Sequence, residues 1–425
     1  MKANVLSQLG RRTEAPPISW LMATTLARPQ LISLAAGFTD NESLPVKEIR
    51  GLTERVLSSA HSGQAALQYG TTAGDQALRR LTARHLHSLD GQPGARRAYS
   101  PDRMIITNGS QQMLYMITEA LCDPGDLVLV EDPSYFVYLG ILQSHGVRAR
   151  GVRMEPDGLD LTRLEAVLEA LKRSGELRRV KMLYLVSYYQ NPTGLTTSFE
   201  KKAGALRLLR HYERAAGHPL YFLEDGAYRE LRFQGDDMKS ALAIKGHSDR
   251  VIYAGTYSKP FAPGTRIGFG LMPEPLLTTV LRIKGNHDFG SSSLLQQLLA
   301  RALSSGLYQK HLAVLQKRYA HKARVMRAAL TQHFPAEVEC WEPSGGLYFW
   351  ARLPQRLKSG TASKVFQTAL ANNVLYVPGE LCYAADPTRR RPNHEMRLSF
   401  GGATETNVRK GIARLGAVLH ACLGR

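Results

Sequence analysis

Cysteine is scarce in this 425-residue chain: Cys122, Cys340, Cys382 and Cys422 lie far apart and form no CxxC pair. Neither a zinc site nor a disulfide framework is therefore indicated, and no metal is expected. No apolar run reaches the roughly eighteen residues that a membrane span requires. The basic residues near the N-terminus are not followed by the apolar stretch of a secretory signal. Internal repeats and low-complexity linkers are absent too. Acidic residues are also in short supply, 36 Asp and Glu against 55 Lys and Arg, which leaves a formal net charge of +19. That excess is scattered, with short clusters only at Arg178-Arg179-Val180-Lys181 and Arg389-Arg390-Arg391. It reads as a solvated basic surface that could also attract anionic small molecules, not as a nucleic-acid footprint. A cytoplasmic protein of a reducing compartment is expected.

What is present is an alternation of short apolar runs and helical patterns. After Pro16-Pro17, the run Leu31 to Gly37 and Leu44-Pro45, residues 1–45 read as an arm with one short strand that belongs to a smaller domain. Helical periodicity follows over Val46 to Ala60 and Ala77 to Leu89, then strands and helices alternate from Arg103 to Leu271. Continuous apolar strands separated by helices call for a sheet covered on both faces. The fold class is α/β: a mostly parallel central sheet with helices on both faces over residues 46–295, plus a smaller α+β domain over 296–425. A long helical stretch, Ser291 to about Leu330, joins the two, and Gly345 to Trp350 and Met396 to Phe400 are strands of the smaller one.

The polar clusters fall where the strands end, which is where open α/β sheets bind ligands. Thr107-Asn108-Gly109-Ser110-Gln111 joins a strand to a helix whose free N–H groups suit a phosphate, although Ser110 could simply be a helix cap. Tyr135 follows the next strand and offers a ring for stacking. Asn191-Pro192 is a candidate cis bond, with the Asn191 amide free to act as a donor. Asp225 leaves an apolar strand and needs a cation or a strong donor, such as a protonated heterocyclic nitrogen. In Thr256-Tyr257-Ser258-Lys259, and on to Arg266, a lysine, hydroxyls and an arginine gather on one loop between buried strands. Desolvation would free the amine of such a lysine for Schiff-base chemistry. Arg397, inside an apolar strand, calls for a planar anion such as a carboxylate.

Taken together, Asn191-Pro192-Thr193-Gly194, Asp225 with Tyr228, Ser258-Lys259 and Arg266 resemble pyridoxal-phosphate enzymes of fold type I. The resemblance is to the aspartate-aminotransferase type, especially the branch with kynurenine and α-aminoadipate aminotransferases and aminotransferase-like regulators. It runs from about Leu31 to Gly401. It implies pyridoxal 5'-phosphate as cofactor, carried as a Schiff base on Lys259, which would also move the Cα proton. Asp225 would meet the pyridine nitrogen, Asn191 and Tyr228 the ring oxygen, and Tyr135 the ring face. Ser110, Gln111, Thr256, Ser258 and Arg266 would hold the phosphate, joined by Tyr69 from the partner of a homodimer. Arg397 would take the substrate carboxylate, with Gly37 beside the substrate. Thr256 stands where the family usually has serine or glycine. Ser19 and Trp20 stand where kynurenine-type enzymes carry a substrate-choosing arginine, so substrate identity cannot be borrowed.

The resemblance implies transfer of an amino group from an α-amino acid to a 2-oxo acid. The same chemistry also serves elimination, replacement or cyclisation on an amino-acid-derived, possibly anionic substrate. A DNA-binding regulator would need a further domain ahead of the core, whereas thirty residues precede Leu31.

Overall fold

The structure, a computed structural model, describes residues 5–91 and 97–424. Met1 to Asn4, at the start of the expected arm, and Arg425, at the end of the expected smaller domain, lie outside the described residues. In chain order come α1 (Gln8–Arg12), α2 (Pro17–Ala27), β1 (Ile32–Ser33), α3 (Val46–Val56), α4 (Ala60–Leu67), α5 (Gln76–Asp90), β2 (Met104–Thr107) and α6 (Ser110–Leu121). Then follow β3 (Leu127–Asp132), α7 (Phe136–His145), β4 (Arg148–Glu155), β5 (Gly158–Leu159), α8 (Leu161–Arg173), β6 (Val180–Val186), α9 (Phe199–Ala216), β7 (Tyr221–Asp225), β8 (Val251–Thr256) and β9 (Gly268–Leu271). The chain closes with α10 (Leu276–His287), α11 (Ser293–Ser304), α12 (Leu307–His333), β10 (Glu339–Trp341), β11 (Tyr348–Arg352), α13 (Lys364–Ala371), β12 (Val374–Leu375), β13 (Val377–Pro378), β14 (Glu395–Ser399) and α14 (Glu405–Leu423).

An eight-stranded sheet in the order β2-β9-β8-β7-β6-β3-β4-β5 forms the centre. From β8 to β4 every pairing is parallel, and β8 is buried along its whole length, as a sheet covered on both faces requires. Strand β9 runs antiparallel between β2 and β8, so it starts at the edge where its neighbours end. The last residues of β2, β3, β6, β7 and β8 and the first of β9 therefore share one rim. The second sheet, β10-β11-β14-β13, is antiparallel throughout, and β1 pairs in parallel with β12.

Three sequence expectations need correction. The arm holds two helices besides its strand: Pro17 is the first residue of α2, a position where the missing N–H costs nothing, so Pro16-Pro17 starts a helix instead of interrupting one. The helix expected over Val46 to Ala60 ends at Val56, and a second starts after the Ser59 cap, whose side chain accepts from Ser62 N–H. The helical stretch from Ser291 breaks at Gly306, which adopts a φ of 72° between α11 and the 27-residue α12.

Candidate active site

On the shared rim lies a cavity of about 200 Å³, bordered by Ser110, Gln111, Tyr135, Asp225, Tyr228, Thr256, Ser258, Lys259 and Arg266. Nine of the residues singled out from the sequence thus converge, because each lies at a strand end, at the start of a helix or in a loop that leaves this rim. Asn191 and Gly37 join them by bonds to Tyr228 and Lys259, and Arg397 joins through Asn191. Tyr69 does not: it is 84% exposed, with its ring centroid 5.6 Å from that of Phe289 in an edge-on contact.

One end of the cavity is built for an anion. Helix α6 opens with Gly109 at the cap position, φ 78°, and no side chain caps its N–H groups. Ser110 is the first helical residue and not the cap that its sequence context also allowed. The Thr256 hydroxyl donates to Ser258 Oγ at 3.0 Å and accepts from Ser258 N–H at 3.1 Å. Arg266, in a left-handed conformation at φ 50°, reaches over this turn with bonds of 3.4 to 3.5 Å to Asn108 O, Pro263 O and Ser258 Oγ. A Cβ on Gly109 would stand 2.5 Å from Arg266 Nη2, so the approach of arginine to helix depends on that glycine. Bare N–H groups, two hydroxyls and a loosely held guanidinium fit a phosphate.

Asp225 lines the same cavity. It accepts from Tyr184 OH and from Ala227 N–H, both at 3.0 Å, and burial raises its pKa to about 6. It precedes a turn, not the helix that a capping aspartate would begin. A cationic ring nitrogen is the partner that would restore its charge.

Two cations complete the site. Lys259 Nζ donates to Gly37 O at 2.8 Å, and burial, followed by the charges of Arg397 and Arg266, lowers its pKa to about 8. Arg397 is 1% exposed and donates from Nη1 to Asn191 Oδ1 at 2.6 Å and from Nη2 to Ala35 O at 2.5 Å. Its Nε has no partner, and it forms no ion pair with an acid among the described residues. Its guanidinium lies 4.3 Å from the Tyr348 ring centroid and 5.5 Å from that of Phe136. A buried guanidinium satisfied only by neutral oxygens has capacity left for a carboxylate. Asn191 Nδ2 in turn donates to Tyr228 OH at 3.3 Å, and the Asn191-Pro192 bond is cis, as its sequence allowed.

The sequence reading missed Tyr184 and Tyr348. Tyr184 sits within an apolar strand, where a lone phenol was the only signal. Tyr348 faces this site because β11 pairs with β14, bringing Tyr348 opposite Ser399 two residues from Arg397.

Residues 29–415 match the family model described as aminotransferase class I and II. The chain is 32% identical over 386 residues to the aromatic-amino-acid aminotransferase 1 of Thermococcus litoralis, which takes in 91% of this chain and 87% of that protein. It is 32% identical over 414 residues to the 2-aminoadipate transaminase of Thermus thermophilus, covering 97% and 96% of the two chains. Among solved structures, the kynurenine aminotransferase of Pyrococcus horikoshii superposes with a TM-score of 0.88 at 29% identity, over 99% of this chain and 98% of that one.

Proposed function

Since the chain belongs to the class I and II aminotransferases, and so transfers amino groups from amino acids to oxo acids with pyridoxal phosphate, we propose that Lys259 is the cofactor's attachment point and the proton carrier of the reaction. The observation that carries this reading is the pair of cations Lys259, which lines the cavity with Asp225, and Arg397, which is bonded to Asn191 beside it, both held only by neutral oxygens. When bound, the cofactor supplies an electron-withdrawing ring that stabilises negative charge at the substrate's α-carbon.

In this reading the protein supplies position and protons. The α6 N–H groups with Ser110, Gln111, Thr256, Ser258 and Arg266 bind the phosphate. Asp225 keeps a proton on the ring nitrogen, Tyr135 covers a ring face, and Asn191 with Tyr228 bonds the ring oxygen. Arg397 fixes the substrate carboxylate with a planar fork beside Gly37, which aims the α-hydrogen at Lys259 Nζ. With a pKa of about 8, that amine is neutral often enough near physiological pH to take the proton and then return it.

The same reading divides the chain into an arm at 1–45, a cofactor-binding unit at 46–295 and a smaller unit at 296–425. The confinement of β2–β9 to one sheet and of β10, β11, β13 and β14 to another supports it. It also makes the protein a cytoplasmic homodimer in which Tyr69 completes the partner's phosphate site, a role that its 84% exposure leaves it free to play. No helix among the described residues is long and apolar enough to cross a membrane. The related proteins named above are all aminotransferases, so elimination, replacement or cyclisation gains no support from them.

The test is to mix the cofactor-loaded protein with a panel of amino acids and identify the products. An aminated cofactor with release of an oxo acid is expected. Ammonia release or a new carbon–carbon bond, with the cofactor aldehyde unchanged, would overturn the reading. Lys259→Ala should lose the borohydride-reducible chromophore.

A further inference from the structure

We infer that Tyr348 is a positioning residue that sets the direction of the Tyr228 hydroxyl hydrogen; this rests on the reading that Tyr228 bonds the cofactor's ring oxygen. Arg397, a pure donor, occupies Asn191 Oδ1 at 2.6 Å, and this fixes the amide so that Nδ2 faces the Tyr228 oxygen at 3.3 Å. Tyr348 OH lies 3.0 Å from the same oxygen. Tyr228 is the hydrogen-bond partner of Tyr348 among the described residues, and in this proposal Tyr348 is the donor of the pair. Asn191 Nδ2 and Tyr348 OH then fill both acceptor positions of the Tyr228 oxygen. The Tyr228 hydrogen has one direction left, into the cavity that Tyr228 shares with Lys259 and Asp225.

The position of Tyr348 is itself tightly held. Its side chain is 1% exposed, its ring lies 4.3 Å from the Arg397 guanidinium and meets the Tyr228 ring edge-on at 5.6 Å. A Cβ on Gly37 would collide with its hydroxyl, so glycine is needed there to leave room for the phenol. Arg397, Asn191, Tyr228 and Tyr348 thus form a closed ring of contacts. Tyr348 links the carboxylate-binding arginine to the residue that polarises the ring oxygen.

The experiment follows the pH midpoint of the holoenzyme's visible absorption band in wild type, Y348F, Y228F and the double variant. A donor aimed at the ring oxygen stabilises its anion and holds the midpoint down. Tyr348→Phe keeps the ring stack and removes only the second donor, so the midpoint should rise by about 0.5 to 1 pH unit, the share of one hydrogen bond. Tyr228→Phe should raise it further, and the double variant should match Tyr228→Phe alone. Gly37→Ala, which pushes the phenol aside, should shift it in the same direction and provides a second route should Y348F fold poorly. A shifted Y228F with an unshifted Y348F would overturn this role of Tyr348 alone. An unshifted Y228F would overturn the placing of Tyr228 and this inference with it.

Discussion

Arg397 and Asn191, 206 positions apart in sequence, meet through a 2.6 Å hydrogen bond at the floor of the site. One residue comes from the antiparallel sheet and the other from the loop after β6 of the large sheet. Their bond joins the group proposed to bind the substrate carboxylate to a group proposed to bind the cofactor.

Replacing that fork is the most direct probe of substrate binding. A lysine at position 397 presents one point charge and cannot serve Asn191 Oδ1, Ala35 O and a carboxylate together. For Arg397→Lys, kcat/KM towards amino acids should fall by about 10- to 100-fold, the scale of a charge-assisted hydrogen bond. Reaction with an amine that lacks the carboxylate should be nearly unaffected. Equal losses on both would show that Arg397 does not bind the carboxylate.

The amine of Lys259 should be reactive far below the usual lysine range. Cofactor-free protein mixed with pyridoxal phosphate at a series of pH values should bind at a rate that is half-maximal near pH 8. In the fold, the charged amine is disfavoured: the cost is in full force below about 8 and fades as pH rises from there towards the unfolded value. Stopped-flow absorbance would read the midpoint, and a value above about 10 would mean an unperturbed lysine.

Asp225 should behave in the opposite sense. Its pKa in the fold, about 6, is above that of the unfolded chain, so an ionised Asp225 destabilises the cofactor-free protein above that pH. The cost disappears as pH falls from about 6 towards the model carboxylate value of 3.8. Asp225→Asn should therefore raise the unfolding temperature of cofactor-free protein at pH 7.5 and leave it unchanged near pH 3.5. In the loaded enzyme the same change should lower kcat by about 10²- to 10³-fold, the loss typical of removing one preorganised electrostatic contact.

Gly109 tests the phosphate end. An alanine there must adopt a φ of 78° and push Arg266 aside. Fluorescence titration should show at least about a tenfold weaker affinity for pyridoxal phosphate, given the cost of the strained backbone and the displaced arginine. Affinity for pyridoxal, which has no phosphate, should barely move.

The gathering of the candidate site was legible in the sequence because much of it sits on strand ends, and strand ends are marked locally: Thr107 before Asn108-Gly109, Asp225 closing Tyr221-Phe222-Leu223, and Thr256 closing an apolar run. Strand β4 was not legible. Arg148, Arg150 and Arg153 break the apolar pattern, and its place in the sheet comes from pairing with β3, not from its own burial. The two helices of the arm were hidden by Pro16-Pro17, since the same dipeptide serves a break and a helix start equally well. Tyr348 is a different kind of miss. Nothing near it in the chain marks it, and its role follows from cross-strand register and a contact with Tyr228, 120 positions away.

The peptide carbonyls of Ala35 and Gly37, two residues apart on the segment after β1, accept from Arg397 and Lys259 respectively. Each cation thus rests on a peptide dipole and not on an acid. On the proposed role of Arg397, an incoming carboxylate takes up the donor capacity that these neutral acceptors leave, and a ligand with formal charge gains most from it. Neutral amides and esters of the same amino acids would gain far less from the guanidinium. On that proposed role, this site would therefore select ligands by charge before shape is tested.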